Sequence, residues 1–510
     1  MAMAQQLQEP EAVAKEIGTA VRHTAMYGLG SIVIKALGFL MLPFYTHYLS
    51  PRDYGVLEIL DLSMSLFGMV LHMGIAPALL RAYASSKTAE DRKRTVSTAF
   101  LFVAGTGLAT FAAGLLVIRP LSTLLLGPTV SANYLLLSFA SFIFSYLAAM
   151  PRAYLRALEA SGMFTLLETG GLFVILALNI YFIAVMKLGA MGILWSSVIV
   201  YGIQAVGLSA WILRAVGVGF SGKTLREMTA FGLPLIFSNV ALFALNFSDR
   251  FFLQRLQSLD AVGVYAVGYK LAFMINYMLV QPFYAMWQAR MYNIYDQPEH
   301  AKIFRQIFVL YSLVLTYAAL GIAVFSPEVI RVMADPKFRG GQDVVPIVAL
   351  AYVFYGIGSY VQLGMFLANK TKAIGAVSSV AAVLNLGLNY ILISKFGMVG
   401  AAWATLLGFV AIAVGSYWFS QRALPLNLGM PRVGAAMALA VALYAACAVL
   451  VSAQSPMIVG IAIKAAALVV FPLLVWNSGI LSAAEMNTLA AAKCQAAAGI
   501  GRRLGWGFGR

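Results

Sequence analysis

Apolar runs of about 20 residues, the length needed to cross the hydrocarbon of a bilayer, recur along this whole chain with short polar connectors between them. Fourteen are present, at 24–48, 55–80, 96–118, 133–152, 163–186, 190–213, 229–253, 262–289, 306–327, 344–368, 373–394, 398–420, 433–453 and 457–477. Inside hydrocarbon the backbone must satisfy its own hydrogen bonds, so runs of this kind become helices. The fold class expected is an all-α polytopic membrane protein of about 14 transmembrane helices. Composition agrees, because 510 residues that are 61% hydrophobic and 11% charged have too little polar surface to coat a soluble globule. Residues 5–22 mix acidic and basic side chains without the apolar centre of a signal peptide, so the first span is expected to direct insertion itself. Cys447 lies in a span and Cys494 in the tail, too different in setting to suggest a disulfide, and no metal or cofactor is expected.

Positive charge sets the orientation, since excess Lys and Arg stay cytoplasmic. With the N-terminus inside, 23 of the 35 basic residues fall on the cytoplasmic side, among them Arg81, Lys87, Arg92, Lys93 and Arg94. Both termini are therefore expected in the cytoplasm, and the net charge of +16 records topology and attraction to anionic headgroups, with no nucleic-acid partner.

The first span keeps its polar residues on one helix face. Thr24, Gly28, Ser31, Lys35, Gly38 and Tyr45 follow the 3, 4 spacing of a single stripe, with Lys35 near the middle of the membrane. A lysine at that depth costs roughly 2.5 to 3.5 kcal/mol unless protein or water replaces lipid around it, which points to a transport cavity.

The chain also repeats itself. Lys187-Leu-Gly189-Ala-Met-Gly192-Ile-Leu-Trp195 returns as Lys395-Phe-Gly397-Met-Val-Gly400-Ala-Ala-Trp403, and Tyr54-Gly55-Val56 as Val262-Gly263-Val264. Six spans separate equivalents, so two pseudo-symmetric six-helix lobes are expected in parallel orientation, with a substrate site between them. The division expected is a cytoplasmic segment 1–22, an N-lobe 23–216, a linker 217–228, a C-lobe 229–422, two extra helices in 433–477 and a basic, amphipathic cytoplasmic tail 480–510.

Leu40-Met-Leu-Pro43-Phe-Tyr45-Thr-His-Tyr-Leu49-Ser50-Pro51-Arg52-Asp53-Tyr54-Gly55, with Asp249-Arg250 and Gly263-Val-Tyr265-Ala-Val-Gly-Tyr269-Lys270, resembles one known family. It is the polysaccharide transport (Wzx-type) branch of the multidrug/oligosaccharidyl-lipid/polysaccharide exporter superfamily, and the resemblance covers about residues 20 to 425. It implies a V-shaped bundle that flips a polyprenyl-pyrophosphate-linked oligosaccharide across the bacterial inner membrane by alternating access, for O-antigen (lipopolysaccharide), exopolysaccharide or capsule. It also implies membrane lipids and a polysaccharide polymerase or other biosynthesis proteins as partners, function as a monomer, and no enzymatic activity.

Further polar stripes suit that substrate. Helix 2 carries Tyr54, Glu58, Asp61, Ser65, Gly68 and His72; helix 7 carries Asn239, Asn246 and Asp249; helix 8 carries Lys270, Tyr277, Gln281, Tyr284 and Gln288. Cations neutralise pyrophosphate, while Asn, Gln and Tyr exchange hydrogen bonds with sugar hydroxyls. Lys35 and Lys270 lead for the phosphate, followed by Arg250 and His72. Lys270 and Arg250 also stand where a long side chain snorkels outward or pairs with Asp249. Glu58 and Asp61 lie one turn apart, so either they couple proton binding to transport, with Asp249 and Glu168 as further carboxylates of that type, or they offset nearby cations. Arg152 and Arg156 at the inner end of helix 4 either receive the headgroup or anchor the topology. Pro43, Pro77, Pro234 and Pro282 are expected hinges. Lys464, in the last span, either meets a phosphate or snorkels. A lipid II flippase and a drug/cation antiporter of the same superfamily are the alternatives; an integral-membrane glycosyltransferase is set aside because the longest outer connector, 326–343, holds no catalytic cluster.

Overall fold

The computed structural model describes residues 37–451 and 456–481, without the side chains of 232–239 and of Ala289. Lys35 and the tail therefore lie outside the described residues. Among them, α-helices run α1 (Leu42–Tyr48), α2 (Pro51–Leu71), α3 (Ile75–Ser85), α4 (Ala89–Leu126), α5 (Ala132–Leu147), α6 (Ala149–Ala157), α7 (Ser161–Ile180), α8 (Ala190–Val216) and α9 (Gly222–Leu256). They continue as α10 (Leu259–Ile275), α11 (Gln281–Tyr295), α12 (His300–Met333), α13 (Val345–Val361), α14 (Leu363–Leu367), α15 (Thr371–Ala423), α16 (Met430–Leu450) and α17 (Met457–Asn477). The protein is an all-α, multi-pass membrane protein, as expected.

Eleven helices among the described residues are long and apolar enough to cross a bilayer, so the expected fourteen is not reached by that count. Three features account for the difference. Helix α15 counts once at 53 residues, although its backbone leaves helical geometry at Gly397 (φ 56°, ψ −132°). At 1.5 Å per residue it measures about 80 Å, more than twice the hydrocarbon thickness. Helix α9 is not among the eleven, and much of the first span lies outside the described residues.

Irregular backbone precedes the expected hinge prolines Pro43, Pro77 and Pro282, and the helix is interrupted at Pro77. Met73 and Gly74 take positive φ (44° and 61°) just before Pro77. A π-helical turn, Asn276–Val280, precedes Pro282, and Met41 (φ −78°, ψ −7°) forms a turn before Pro43 through which the hydrogen bonds Met41 N–Leu37 O and Tyr45 N–Met41 O continue. Pro234 belongs to the undescribed side chains.

By their contacts the described residues form two compact units, one of 37–264 with Met333–Phe338, the other of Tyr265–Val332 with residues 339–451 and 456–481. In the first unit α9 packs on α2, α3 and α4. The core beside it gathers Ile75, Leu79, Phe100, Tyr146, Tyr154 and Ile212. In the second, α13 lies along α15, and α16 pairs with α17.

The motif Ser50-Pro51-Arg52-Asp53-Tyr54-Gly55 now has a physical reading. Ser50 Oγ accepts from the Asp53 amide while the Asp53 carboxylate accepts from the Ser50 amide, each at 3.1 Å, a capping box with Pro51 in the first turn of α2. Tyr54 is buried with its ring 5.7 Å from Phe338, which is itself fully buried in the strap Met333–Phe338. Gly55 touches the start of α10: a methyl group there would overlap the Leu259 carbonyl, and one on Gly263 would overlap that of Pro51. Gly55 and Gly263 are equivalents in the sequence repeat, and so are Pro51 and Leu259, so the contact is reciprocal. Only glycine permits backbones to meet this closely. Gly55→Ala is expected to cost about 1–3 kcal/mol by overpacking, seen as a lower melting temperature in detergent; an unchanged value would show that the crossing yields freely.

Candidate functional site

Helices α2 and α9 build a buried charge cluster in the first unit. Arg250 is 1% exposed and Asp249 2% exposed, a depth that charged groups occupy only when paired. Arg250 Nη1 donates to Asp249 Oδ1 at 2.7 Å and to the Asn246 carbonyl at 2.9 Å, and its Nε lies 3.8 Å from Glu58 Oε1 on α2. Four of the expected site residues thus come together, and Arg250 pairs with Asp249, one of the settings expected for it. Asn246 also donates from Nδ2 to the Leu242 carbonyl at 2.8 Å. Asp61, one turn beyond Glu58 on α2, is exposed.

His72 closes the C-terminal end of α2. Its Nδ1 lies 2.7 Å from the Gly68 carbonyl, and its ring stands edge-on to Tyr146 at 4.8 Å. Tyr146 in turn donates to the Leu71 carbonyl at 3.2 Å and meets Thr106 at 3.0 Å. These contacts make His72 part of the packing where α2 gives way to α3.

Arg152 is held from three directions. It donates to Glu168 at 3.1 Å, to the Ser145 carbonyl at 2.7 Å and to the Ala148 carbonyl at 3.2 Å. Arg156 is exposed, with its guanidinium 5.7 Å from the Phe164 ring. On the first span, Tyr45 accepts from Asn179 at 2.8 Å, tying that stripe to α7.

Lys270, Tyr277 and Gln281 belong to the second unit, and each is exposed. Lys270 ends a segment whose tyrosines turn the other way: Tyr265 and Tyr269 are buried, and the Tyr269 and Tyr352 hydroxyls meet at 2.6 Å. Tyr277 stands in the π-helical turn, edge-on to Phe273 at 4.5 Å. Gln281 opens α11. Asn239 lies on α9 with its side chain outside the described residues.

Two features escaped the sequence reading. Lys464 Nζ contacts both carboxylate oxygens of Glu328, at 2.7 and 2.8 Å. Glu328 falls just past the apolar run ending at 327, so it reads as connector; nothing in a linear pattern joins it to a lysine 136 positions away. The second is a cavity of about 270 Å³ in the second unit, lined by Leu320, Leu350, Trp403, Met437, Val441, Tyr444 and other mostly apolar side chains, with Thr316 among them. It contains none of the ionisable candidates and suits hydrocarbon rather than a charged headgroup.

A family model described as "Polysaccharide biosynthesis protein" matches residues 20–287, more than half of the chain. The chain belongs to this family. That agrees with the resemblance carried by residues 40–55 and 249–270, both inside the matched region. As a member of the polysaccharide biosynthesis family it shares its fold with the lipid II flippase MurJ in an inward closed conformation, at a TM-score of 0.70, 12% identity and coverage of 90% of this chain and 100% of that one. An inward-facing multidrug resistance MATE family transporter of the MOP superfamily aligns at 0.62 and 14% identity, over 76% of this chain and 94% of that one. Such identities speak for the fold alone. An uncharacterized membrane protein of Methanocaldococcus jannaschii is 26% identical over 224 residues, 40% of this chain and 41% of that protein. A Haloferax volcanii protein named "Probable low-salt glycan biosynthesis flippase Agl15" is 32% identical over 102 residues, 20% of this chain and 22% of that protein. The matches thus span less than half the length of these curated relatives.

Proposed function

We propose that this family member is a flippase, moving a lipid-pyrophosphate-linked oligosaccharide across the cytoplasmic membrane by alternating access for the synthesis of a surface polysaccharide such as O-antigen, exopolysaccharide or capsule. The observation that carries the reading is the family match over residues 20–287. The flippase named among the relatives supports it, as does the abundance of polar and ionisable side chains in spans that pure membrane anchoring would leave apolar. Lys35 on the first span and Lys270 on α10 take the phosphates, and Asn239, Tyr277 and Gln281 hydrogen-bond sugar hydroxyls. Asp61 is the carboxylate exposed to exchange a proton or ion during the cycle. Glu58, Asp249 and Arg250 hold one another in the described state and reach the substrate only after that cluster opens. The exposed Arg156, beside the paired Arg152, meets the headgroup at the cytoplasmic face. The lipid tail stays in hydrocarbon, and the apolar cavity lined by α16 gives part of it a place to lie.

Reconstitution into proteoliposomes tests this directly. Purified protein is expected to move a fluorescent polyprenyl-pyrophosphate oligosaccharide between leaflets. Movement of lipid II in its place would reassign the substrate. Efflux of organic cations with no lipid movement would overturn the flippase reading in favour of an antiporter.

A further inference from the structure

Helix α17 buries one stripe, Gly460, Lys464, Ala467, Phe471 and Val475, at steps of 4, 3, 4 and 4. The stripe is apolar except for Lys464. It lies antiparallel on α12, because its contacts run opposite ways along the two helices. Lys464 meets Glu328; Leu468 Cδ2 approaches to 3.8 Å of the position a Cβ on Gly321 would take; and the Phe471 ring stacks on Tyr317 at 5.9 Å and 28°. All of this lies within the second unit. The ion pair is largely enclosed by protein, with side-chain exposures of 8% for Lys464 and 19% for Glu328.

Apolar matching by itself leaves the register of such a helix pair loose, since Leu, Val, Ala and Phe interchange along the stripe at modest cost. A buried ion pair behaves differently. It adds little stability over an apolar pair of the same shape, yet any arrangement that separates the partners strands two charges in a medium that cannot solvate them. Sliding α17 by one turn sets Gly460 or Leu468 against Glu328 and does just that. We propose that Lys464 and Glu328 form a register pin, which fixes α17, and with it the hairpin it makes with α16, at one position on α12. Both are positioning residues, and the proposal does not depend on which substrate the protein carries.

The test uses the full chain with both cysteines replaced (Cys447→Ala, Cys494→Ala) and reporter cysteines at Gly321→Cys and Leu468→Cys, joined by a short thiol-specific crosslinker in native membranes. Lys464→Met or Glu328→Met alone is expected to lower the crosslinked fraction by about tenfold. The double variant Lys464→Met with Glu328→Met, which strands no charge, is expected to restore it. Where a single variant fails to accumulate, its yield counts as lost and recovery in the double decides. Unchanged crosslinking in both single variants would overturn the pin. So would a double variant that stays low, because side-chain shape and not charge balance would then hold the helix.

Discussion

Arg250→Ala is expected to cost about 3–5 kcal/mol of folded-state stability, comparable to a large part of what keeps a domain folded. The cost comes less from the hydrogen bonds removed than from the charges that stay behind. Asp249 at 2% exposure and Glu58 beside it would be left as two carboxylates facing the same vacated space. Asp249 is the deeper of the two, Glu58 keeping 11% of its side chain exposed, and the reciprocal contact of Gly55 and Gly263 with the carbonyls of Leu259 and Pro51 leaves α2 little slack. The measurement is the yield of monodisperse protein after detergent extraction, with its thermal unfolding midpoint. Both should fall sharply for Arg250→Ala. Arg250→Met combined with Asp249→Asn should recover part of the loss, since one stranded charge is removed with its partner. A single variant that melts like the wild type would show that the cluster opens to water at little cost.

The same cluster shows what the sequence makes legible. Asp249 and Arg250 are neighbours, so their pairing could be weighed from the chain alone. The approach of Glu58 could not, because it depends on α2 meeting α9, and the polar stripe of α2 says only which face is polar. Lys464 posed the problem in a sharper form. Its depth was plain, while its partner Glu328 sat beyond the end of an apolar run and looked like part of a loop. The motif residues 50–55 and 263–270 are recognisable as a signature, but of these only Tyr54 and Lys270 stand on the polar stripes, and the sequence assigns the others no part. The structure gives several of them structural work instead: Ser50 and Asp53 cap a helix, Gly55 and Gly263 let backbones touch, and Tyr54, Tyr265 and Tyr269 fill the interior. Tertiary contact decides which polar residues of an amphipathic span are packed and which stay open, and periodicity carries no information about that. Membrane class and helical fold, by contrast, follow from apolar run length, which needs no knowledge of neighbours.

The second large effect concerns transport. In the sequence Lys35 falls near the middle of the first apolar run, and in the proposed function the pyrophosphate headgroup offsets the cost of placing a lysine there. Removing one member of a desolvated charge pair costs about 2 kcal/mol or more, so Lys35→Ala should slow headgroup transfer by about 30-fold or more. Lys35→Arg keeps the cation and should retain much of the rate. Lys270→Ala, at an exposed position on α10, should have the smaller effect.

The central claim is that cations within the spans receive an anionic, lipid-borne headgroup. Its most direct measurement is the rate at which proteoliposomes translocate a polyprenyl-pyrophosphate oligosaccharide, comparing wild type with Lys35→Ala at equal protein incorporation and matched melting temperature. The account predicts that the wild type moves the lipid and that Lys35→Ala moves it at least an order of magnitude more slowly. Equal rates for the two proteins would contradict it.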